Sequence, residues 1–435
     1  MSGRAVLLYG GMALALVLVG VFQSWNVSLT ILNLCLISAI MALGVNIQWG
    51  YAGLFNVGIM GFAAVGGIAG VLVSQPPVVE AWQAGGGRIL LAGLMVVATV
   101  GAVLLLRRTM APGRPRNLAT AATVIVGYLL IRGFYDPGSS AIEDVDPART
   151  GYLGGLGLPI LFSWLVGGLL AAGAAWIVGK VALGLRSDYL AIATLGISEI
   201  IIAILKNEDW LSRGVKNVSG LPRPVPYEVD LQAAPWFIDL AARVGGDPAS
   251  LSGITVKLLY ACLFLVVLAI LLWLAERALN APWGRMMRAI RDNEDAAEAM
   301  GKDVTRRHLQ VFVLGSAVVG IAGAMLTTLD GQFTPGTYNP LRFTFLIWVM
   351  VIIGGSGNNW GAVLGGFLIW FVWIQAEPAG NWLIGTLTSG LADGNVVRSH
   401  LLDAAPHMRM ILMGLLLLLV MRFAPRGLLP EVVRR

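Results

Sequence analysis

Residues 281–308 read APWGRMMRAIRDNEDAAEAMGKDVTRRH and lie between two apolar runs, 254–275 and 309–329. Each flanking run is long enough to cross a bilayer core, which takes about 20 apolar residues of helix. A segment with this many charges cannot rest in hydrocarbon, so it forms a loop in water. Its internal order is that of a docking element rather than a tether. Trp283, Met287 and Ile290 fall at helical spacing on one face, with Arg285, Arg288 and Asp292 on another. Asp292 or Asn293 caps a second short helix, whose positive N-terminal end suits Glu294 and Asp295. Gly301 closes that helix in a left-handed turn. A membrane protein that holds such helices in water is built to meet a soluble partner there.

The remainder of the chain agrees. Of 435 residues, 57% are hydrophobic and only 12% charged, against about 25% charged in soluble domains. The fold class is therefore an all-α integral membrane protein. Twelve apolar spans are expected, at 5–22, 27–47, 53–73, 88–106, 117–133, 158–184, 188–205, 254–276, 307–330, 342–356, 360–376 and 407–423. No polar stretch reaches the roughly 50 residues of a separate domain, so 1–435 is read as one transmembrane domain. Arg4 and the run 5–22 carry no small-x-small cleavage site after them and are expected to stay as the first helix.

Placing 281–308 in the cytoplasm fixes every other loop by alternation. Eighteen of the 30 Lys and Arg residues then fall on the cytoplasmic side, which puts both termini there. The net charge of +6 thus belongs to membrane topology and implies no nucleic acid. Three outer segments are long: 135–157, which is acidic, 206–253, rich in Pro and Gly, and 377–406, expected to carry an amphipathic surface helix.

Several chemistries are excluded. The Gly-Lys pairs at 179–180 and 301–302 are followed by Val181 and Asp303, so neither is a P-loop, and any ATP must be bound by another chain. His308, His400 and His407 lie at span edges or outside, with no HExxH, and Cys35 and Cys262 sit in apolar spans as small core residues. No catalytic, cofactor or metal residue is expected. Asp144 and Asp146 resemble a paired-acid metal motif, but an acidic outer loop is ordinarily only solvated.

Two features point inward. Seven glycines crowd residues 50–70 (Gly50, Gly53, Gly58, Gly61, Gly66, Gly67, Gly70) beside Asn56, and Gly66 and Gly70 form a GxxxG pair. Either these residues let helices pack closely, or they break a helix along a substrate path. Glu199 lies mid-span in 187–205, where an acid costs about 2.5–3.5 kcal/mol on insertion scales. It faces a bundle interior or a polar cavity, as a translocation residue or a structural partner. Asn46 and Thr194 are weaker candidates of the same kind.

These residues strongly resemble one family. GYAGL at 50–54 with Gly58, RSDYLAIATL at 186–195, GRMMRAIRDNEDAAEAMG at 284–301, VIIGG at 351–355 with Gly361, and PRGLLP at 425–430 occur in the family's order, as does NVSGLPRP at 217–224. The family is the M-type permease subunit of high-affinity branched-chain amino acid ABC importers. The resemblance implies a type II importer fold of ten helices, to which the spans within 88–133 add an inserted pair. It also implies two cytoplasmic ATPase subunits that hold ATP and magnesium, a homologous second permease and a periplasmic substrate-binding protein. The coupling helix falls on 294–301. Ile59 and Met60 stand where many members have a polar residue, which weakens a substrate assignment.

The expected function is transport of branched-chain or other small apolar amino acids into the cytoplasm across a bacterial inner membrane, by alternating access. The chain itself is not an enzyme. Arg285, Arg288, Arg291, Asp292, Glu294, Asp295, Glu298 and Gly301 are the expected ATPase contacts. Asn46, Gly53, Asn56, Gly58, Thr194 and Glu199 are the expected path residues. Amides, urea or aromatic acids are alternative cargoes, and an ion-coupled carrier or an outer-face enzyme using Asp144 and Asp146 are the rival classes.

Overall fold

A backbone at membrane depth has no water to bond, so an apolar chain of this kind closes its hydrogen bonds within helices. The computed structural model describes residues 3–389 and 396–431. Its principal helices are α1 (Gly3–Phe22), α2 (Trp25–Val45), α3 (Ile59–Gly67), α4 (Ala69–Ser74), α5 (Gly87–Thr109), α6 (Arg114–Glu143), α7 (Leu161–Ala182) and α8 (Ser187–Asn207). After them come α9 (Pro248–Asn280), α10 (Pro282–Asp292), α11 (Glu294–Ala299), α12 (Val304–Asp330), α13 (Pro340–Gly354), α14 (Asn359–Leu387), α15 (Val396–Asp403) and α16 (Met408–Phe423). Among the described residues ten helical stretches are long and apolar enough to cross a membrane, and two shorter ones, Ile59–Ser74 and Pro340–Gly354, bring the set to the twelve expected. The one sheet among them pairs Val218–Ser219 with Gln332–Phe333, antiparallel, beside the end of α12.

Helix ends follow local chemistry. Pro248, Pro282 and Pro340 occupy first turns, where a missing N–H costs nothing. Side chains of Asp303, Asn339 and Asn358 accept amides of the turns that follow them. Gly331 ends α12 with φ +64°, a left-handed residue that glycine adopts without a Cβ clash.

The core is built on backbone-to-backbone approach. α12 packs against α2, α3 and α7. A Cβ on Gly66 would stand 2.0 Å from the Gly320 carbonyl oxygen, and one on Gly323 would stand 2.0 Å from that of Ala63. Gly167 faces Gly66 and Ala324 in the same way, so α3, α7 and α12 meet through small residues. Gly70 also faces α12, at Thr327, so the glycine pair in 66–70 is a packing face. Dispersion at such contacts, rather than an aqueous hydrophobic effect, holds helices together in lipid.

Two helices run past the ends expected from hydropathy. α6 continues through Pro137 to Glu143, so the first third of the 135–157 segment is helix rather than loop. The extension is held by tertiary contacts: Gly85 abuts the Gly138 carbonyl, and Trp210 Nε1 donates to Tyr135 Oη at 2.9 Å and to Glu208 at 2.7 Å. Tyr135 is bonded in turn to Glu208. α14 continues through Pro378 to Leu387, where Gly380 admits Met408 and Glu377 pairs with Arg409. The surface helix expected in 377–406 is thus partly an extension of a span, with α15 after it; residues 390–395 of that segment lie outside the described residues. Asp146 accepts the amides of Ala148 and Arg149 at 3.2 Å, the behaviour of a turn-capping acid.

α5 and α6 form a peripheral hairpin. They pack mainly on each other and touch the remaining chain near Trp82–Gly86 and the short helix Asp209–Ser212. Most of their apolar side chains are exposed, as suits a lipid-facing pair. Arg107 and Arg108 lie in the last turn of α5, and Arg114 and Arg116 in the first turn of α6, on either side of the short connection between them.

Candidate coupling element and broken helix

α10 buries the face expected of it: Met287 is 0% and Ile290 2% exposed, with Trp283 partly covered and donating to Gln310. Of the two candidate caps, Asn293 is the one used. Its side chain accepts the Ala296 amide at 3.0 Å and starts α11. Gly301, at φ +76°, closes α11, with its amide on the Glu298 carbonyl at 2.8 Å and that of Lys302 on the Ala297 carbonyl at 3.2 Å. Asn293→Ala is expected to cost α11 roughly 1 kcal/mol. Hydrogen exchange of the Ala296 and Ala297 amides should then speed about fivefold while the core amides stay protected.

The exposed surface of this element is acidic. Asp292, Glu294, Asp295 and Glu298 are open to solvent, with Arg285 also exposed one helix back. Glu294 lies 4.0 Å from His308 Nδ1. Met300 ends α11 with 80% of its surface exposed. Sequence reasoning passed over it, although an apolar residue closing an acidic helix was a readable signal for a packing knob.

Arg288 and Arg291 depart from expectation. They turn inward, because a carboxylate from the chain end reaches them. Glu431 lies 3.0 Å from Arg291 and 3.8 Å from Arg288, and all three side chains are largely shielded. Arg291 also donates to the Gly50 carbonyl. The tail bearing Glu431 is laid against the turn after α13, with Leu428 and Leu429 amides on the Ile353 and Gly354 carbonyls at 2.8 and 2.9 Å. Tyr9 donates to the Trp360 carbonyl at 2.7 Å, so both chain ends gather at the α10–α11 end of the bundle.

Above that joint, α2 breaks. It passes into a π-turn, Asn46–Gly50, and the chain is irregular from Gly53 until α3 begins at Ile59. Non-helical backbone at membrane depth persists only when buried or lining a cavity, and here its polar groups are supplied by side chains. Thr194 Oγ1 accepts the Val57 amide at 3.0 Å, and Asn56 Oδ1 that of Gly58 at 2.8 Å. Asn56 also donates to Gln48, which donates to Ser316 at 3.0 Å. Asn46 donates to Asn359 at 3.0 Å and accepts the Gly357 amide at 2.8 Å. Tyr51 bonds Asn359, whose Nδ2 donates to Glu276 at 3.0 Å.

The structure therefore divides the expected path residues. Asn46, Asn56 and Thr194 are buried and fully engaged in holding the break. Gly58 is pressed against the Thr194 carbonyl. Gly53 is open, at φ +70°, and Phe55 two residues on is 39% exposed while meeting Trp348 edge-on, with ring centroids 4.6 Å apart. Glu199 is the largest departure from a bundle-interior acid. It is exposed on α8, in a stripe with Ile192, Gly196 and Ala203, and has no bonded partner among the described residues. The buried partners Gln48, Tyr51 and Asn359 and the half-buried Glu276 were not anticipated; only Glu276, an acid closing an apolar span, carried a visible signal.

Among the described residues the chain thus combines ten helical stretches long and apolar enough to cross a membrane with a broken second helix and a capped acidic element at one end. The chain matches the branched-chain amino acid transport system permease component family over residues 27–421, and it belongs to that family. The high-affinity branched-chain amino acid transport system permease protein LivM of Escherichia coli is 29% identical over 72% of this chain and 67% of its own length. The probable branched-chain amino acid transport permease protein LivM of Methanocaldococcus jannaschii is 25% identical over 90% of each chain. The xylose transport system permease protein XylH of Escherichia coli is 24% identical over 58% of this chain and 56% of its own length. No solved structure matches. The protein is thus a multi-pass ABC-importer permease.

Proposed function

We propose that this permease carries branched-chain or other small apolar amino acids into the cytoplasm, as one of two homologous permeases driven by two ATPases and fed by a periplasmic binding protein. Its cargo is that named for the LivM relatives, which cover the most of the chain. The α10–α11 end, with both termini, faces the cytoplasm of a bacterial inner membrane, in keeping with the basic residues gathered there. ATP and magnesium sit on the ATPases, and Glu294, Asp295, Glu298 and Met300 are what α11 offers them.

The observation that carries the reading is Glu199. An exposed carboxylate halfway along a membrane helix is not left in lipid, where it costs about 2.5–3.5 kcal/mol. The small residues Gly196 and Ala203 beside it let another helix come close. This face of α8 therefore meets the second permease, and the acid looks into the aqueous path between them. Glu199→Gln is expected to leave the melting temperature unchanged, since the side chain has no partner within the chain. It should lower leucine uptake by reconstituted vesicles about tenfold, roughly 1.4 kcal/mol in the transport barrier. Wild-type uptake kinetics would remove the acid from the path. The assembly itself is tested by purification from mild detergent, where a second permease and two ATPases should accompany the chain.

A further inference from the structure

We infer that Arg291 is the positioning residue through which movement of α10 and α11 reaches the break in α2. The inference rests on the proposed role of α11 as the ATPase contact. Gly50 ends the π-turn, and the following amides of Gly53 and Leu54 go to the Trp49 and Gln48 carbonyls, so its carbonyl is left for a donor from elsewhere. Arg291 supplies that donor from α10. No side chain could replace this contact from the Gly50 side, because a Cβ there would stand 2.3 Å from Asn46 Oδ1 and 2.6 Å from the Gly357 amide nitrogen.

The guanidinium is held from behind as well. Glu431 grips it at 3.0 Å, in a joint where the arginine side chain is 24% and the carboxylate 18% exposed. A planar fork can serve a carbonyl and a carboxylate together, whereas an ammonium group offers only a point charge. Arg291 is two residues before Asn293, the cap of α11. A displacement of α11 therefore shifts the guanidinium, and with it Gly50. From Gly50 the displacement passes to Asn46, which holds Asn359 and Gly357, and to the open stretch bearing Gly53 and Phe55. The sequence marks Arg291 as one more basic residue of a charged loop; the structure makes it the link from that loop to the irregular backbone inside the bundle.

The test uses the complete transporter in vesicles with Arg291→Gln and Arg291→Lys. In Arg291→Gln the ATPases should still copurify and still hydrolyse ATP, while leucine uptake falls about tenfold or more; Arg291→Lys should lie between. A probe of the break separates this from a merely structural defect. With Cys262→Ala as background, Phe55→Cys should be labelled by a thiol reagent at a rate that changes on adding ATP. That ATP-dependent change should vanish in Arg291→Gln while the melting temperature stays near wild type. Uptake per ATP equal to wild type, or an undiminished ATP-dependent change in labelling, would overturn the inference. So would loss of the ATPases from Arg291→Gln, which would make the residue a docking contact. Failure of the unmutated chain to bring down any ATPase would instead strike the proposed function.

Discussion

Replacing Gly66 by leucine is expected to prevent the core from assembling. The new Cβ alone would meet the Gly320 carbonyl oxygen at 2.0 Å, with its carbon and Cα at 2.5 Å. The three nearest atoms are all backbone of α12, which cannot rotate away as a side chain can. Overpacking ordinarily costs about 1–3 kcal/mol. Here relief requires separating α3 from α12, which also opens the contacts of Gly167 and Gly323, so the loss should reach or pass the top of that range. Purified Gly66→Leu should aggregate or melt well below wild type in detergent. Gly93→Leu provides the control, because nothing lies within 4 Å of a Cβ built at that position on α5. Equal melting of the two variants would show that close helix approach is not what holds the bundle.

Charge reversal at Glu294 and Glu298 is the second large effect expected, and it is functional rather than structural. Both side chains are exposed on α11. Neither takes part in the joint formed by Arg288, Arg291 and Glu431. Lysine at 294 also opposes the helix dipole, a penalty of about 0.3–1 kcal/mol confined to the first turn. The fold should therefore survive Glu294→Lys/Glu298→Lys, while ATPase binding or ATP-driven leucine uptake drops at least tenfold. Wild-type coupling in vesicles carrying the double variant would remove α11 as the contact.

The spans and the capped element were legible because each rests on short-range chemistry. Apolar runs of the right length have few alternatives in a membrane, and Asn293 with Glu294, Asp295 and Gly301 spells a helix start and stop within nine residues. What was illegible depends on distant parts of the chain. Arg288 and Arg291 read as outward-facing because Glu431, their counter-ion, comes from the far terminus. Asn46, Asn56 and Thr194 read as path residues because a polar group in an apolar span looks functional until its partner is known. The partners of Asn56 and Thr194 are the loose amides and the Gln48 side chain of the break itself, and those of Asn46 are Asn359 and the Gly357 amide in the turn after α13. The spans expected to end at 133 and 376 run on through Pro137 and Pro378, although proline removes a donor and crowds the preceding turn; contacts at Gly138 and Gly380 carry the helices through. Glu199 showed the opposite failure. Its position was legible, but among the described residues no interior receives it, and in the assembly proposed above the second permease would.

The α5–α6 hairpin divides the molecule into regions with different freedom to change. Its two ends are brought together where Val78 donates to the Leu153 carbonyl at 3.0 Å and Pro77 bridges to Gly154. The core is thus already closed at the point where the hairpin leaves it. Most substitutions on α5 and α6 are answered by fluid lipid, which reshapes itself around any apolar side chain. A substitution at Gly66, Gly320 or Gly323 is answered by another backbone, which does not yield. Sequence drift can therefore accumulate in the hairpin, limited by greasiness alone, while the three-helix contact of α3, α7 and α12 keeps its residues one by one.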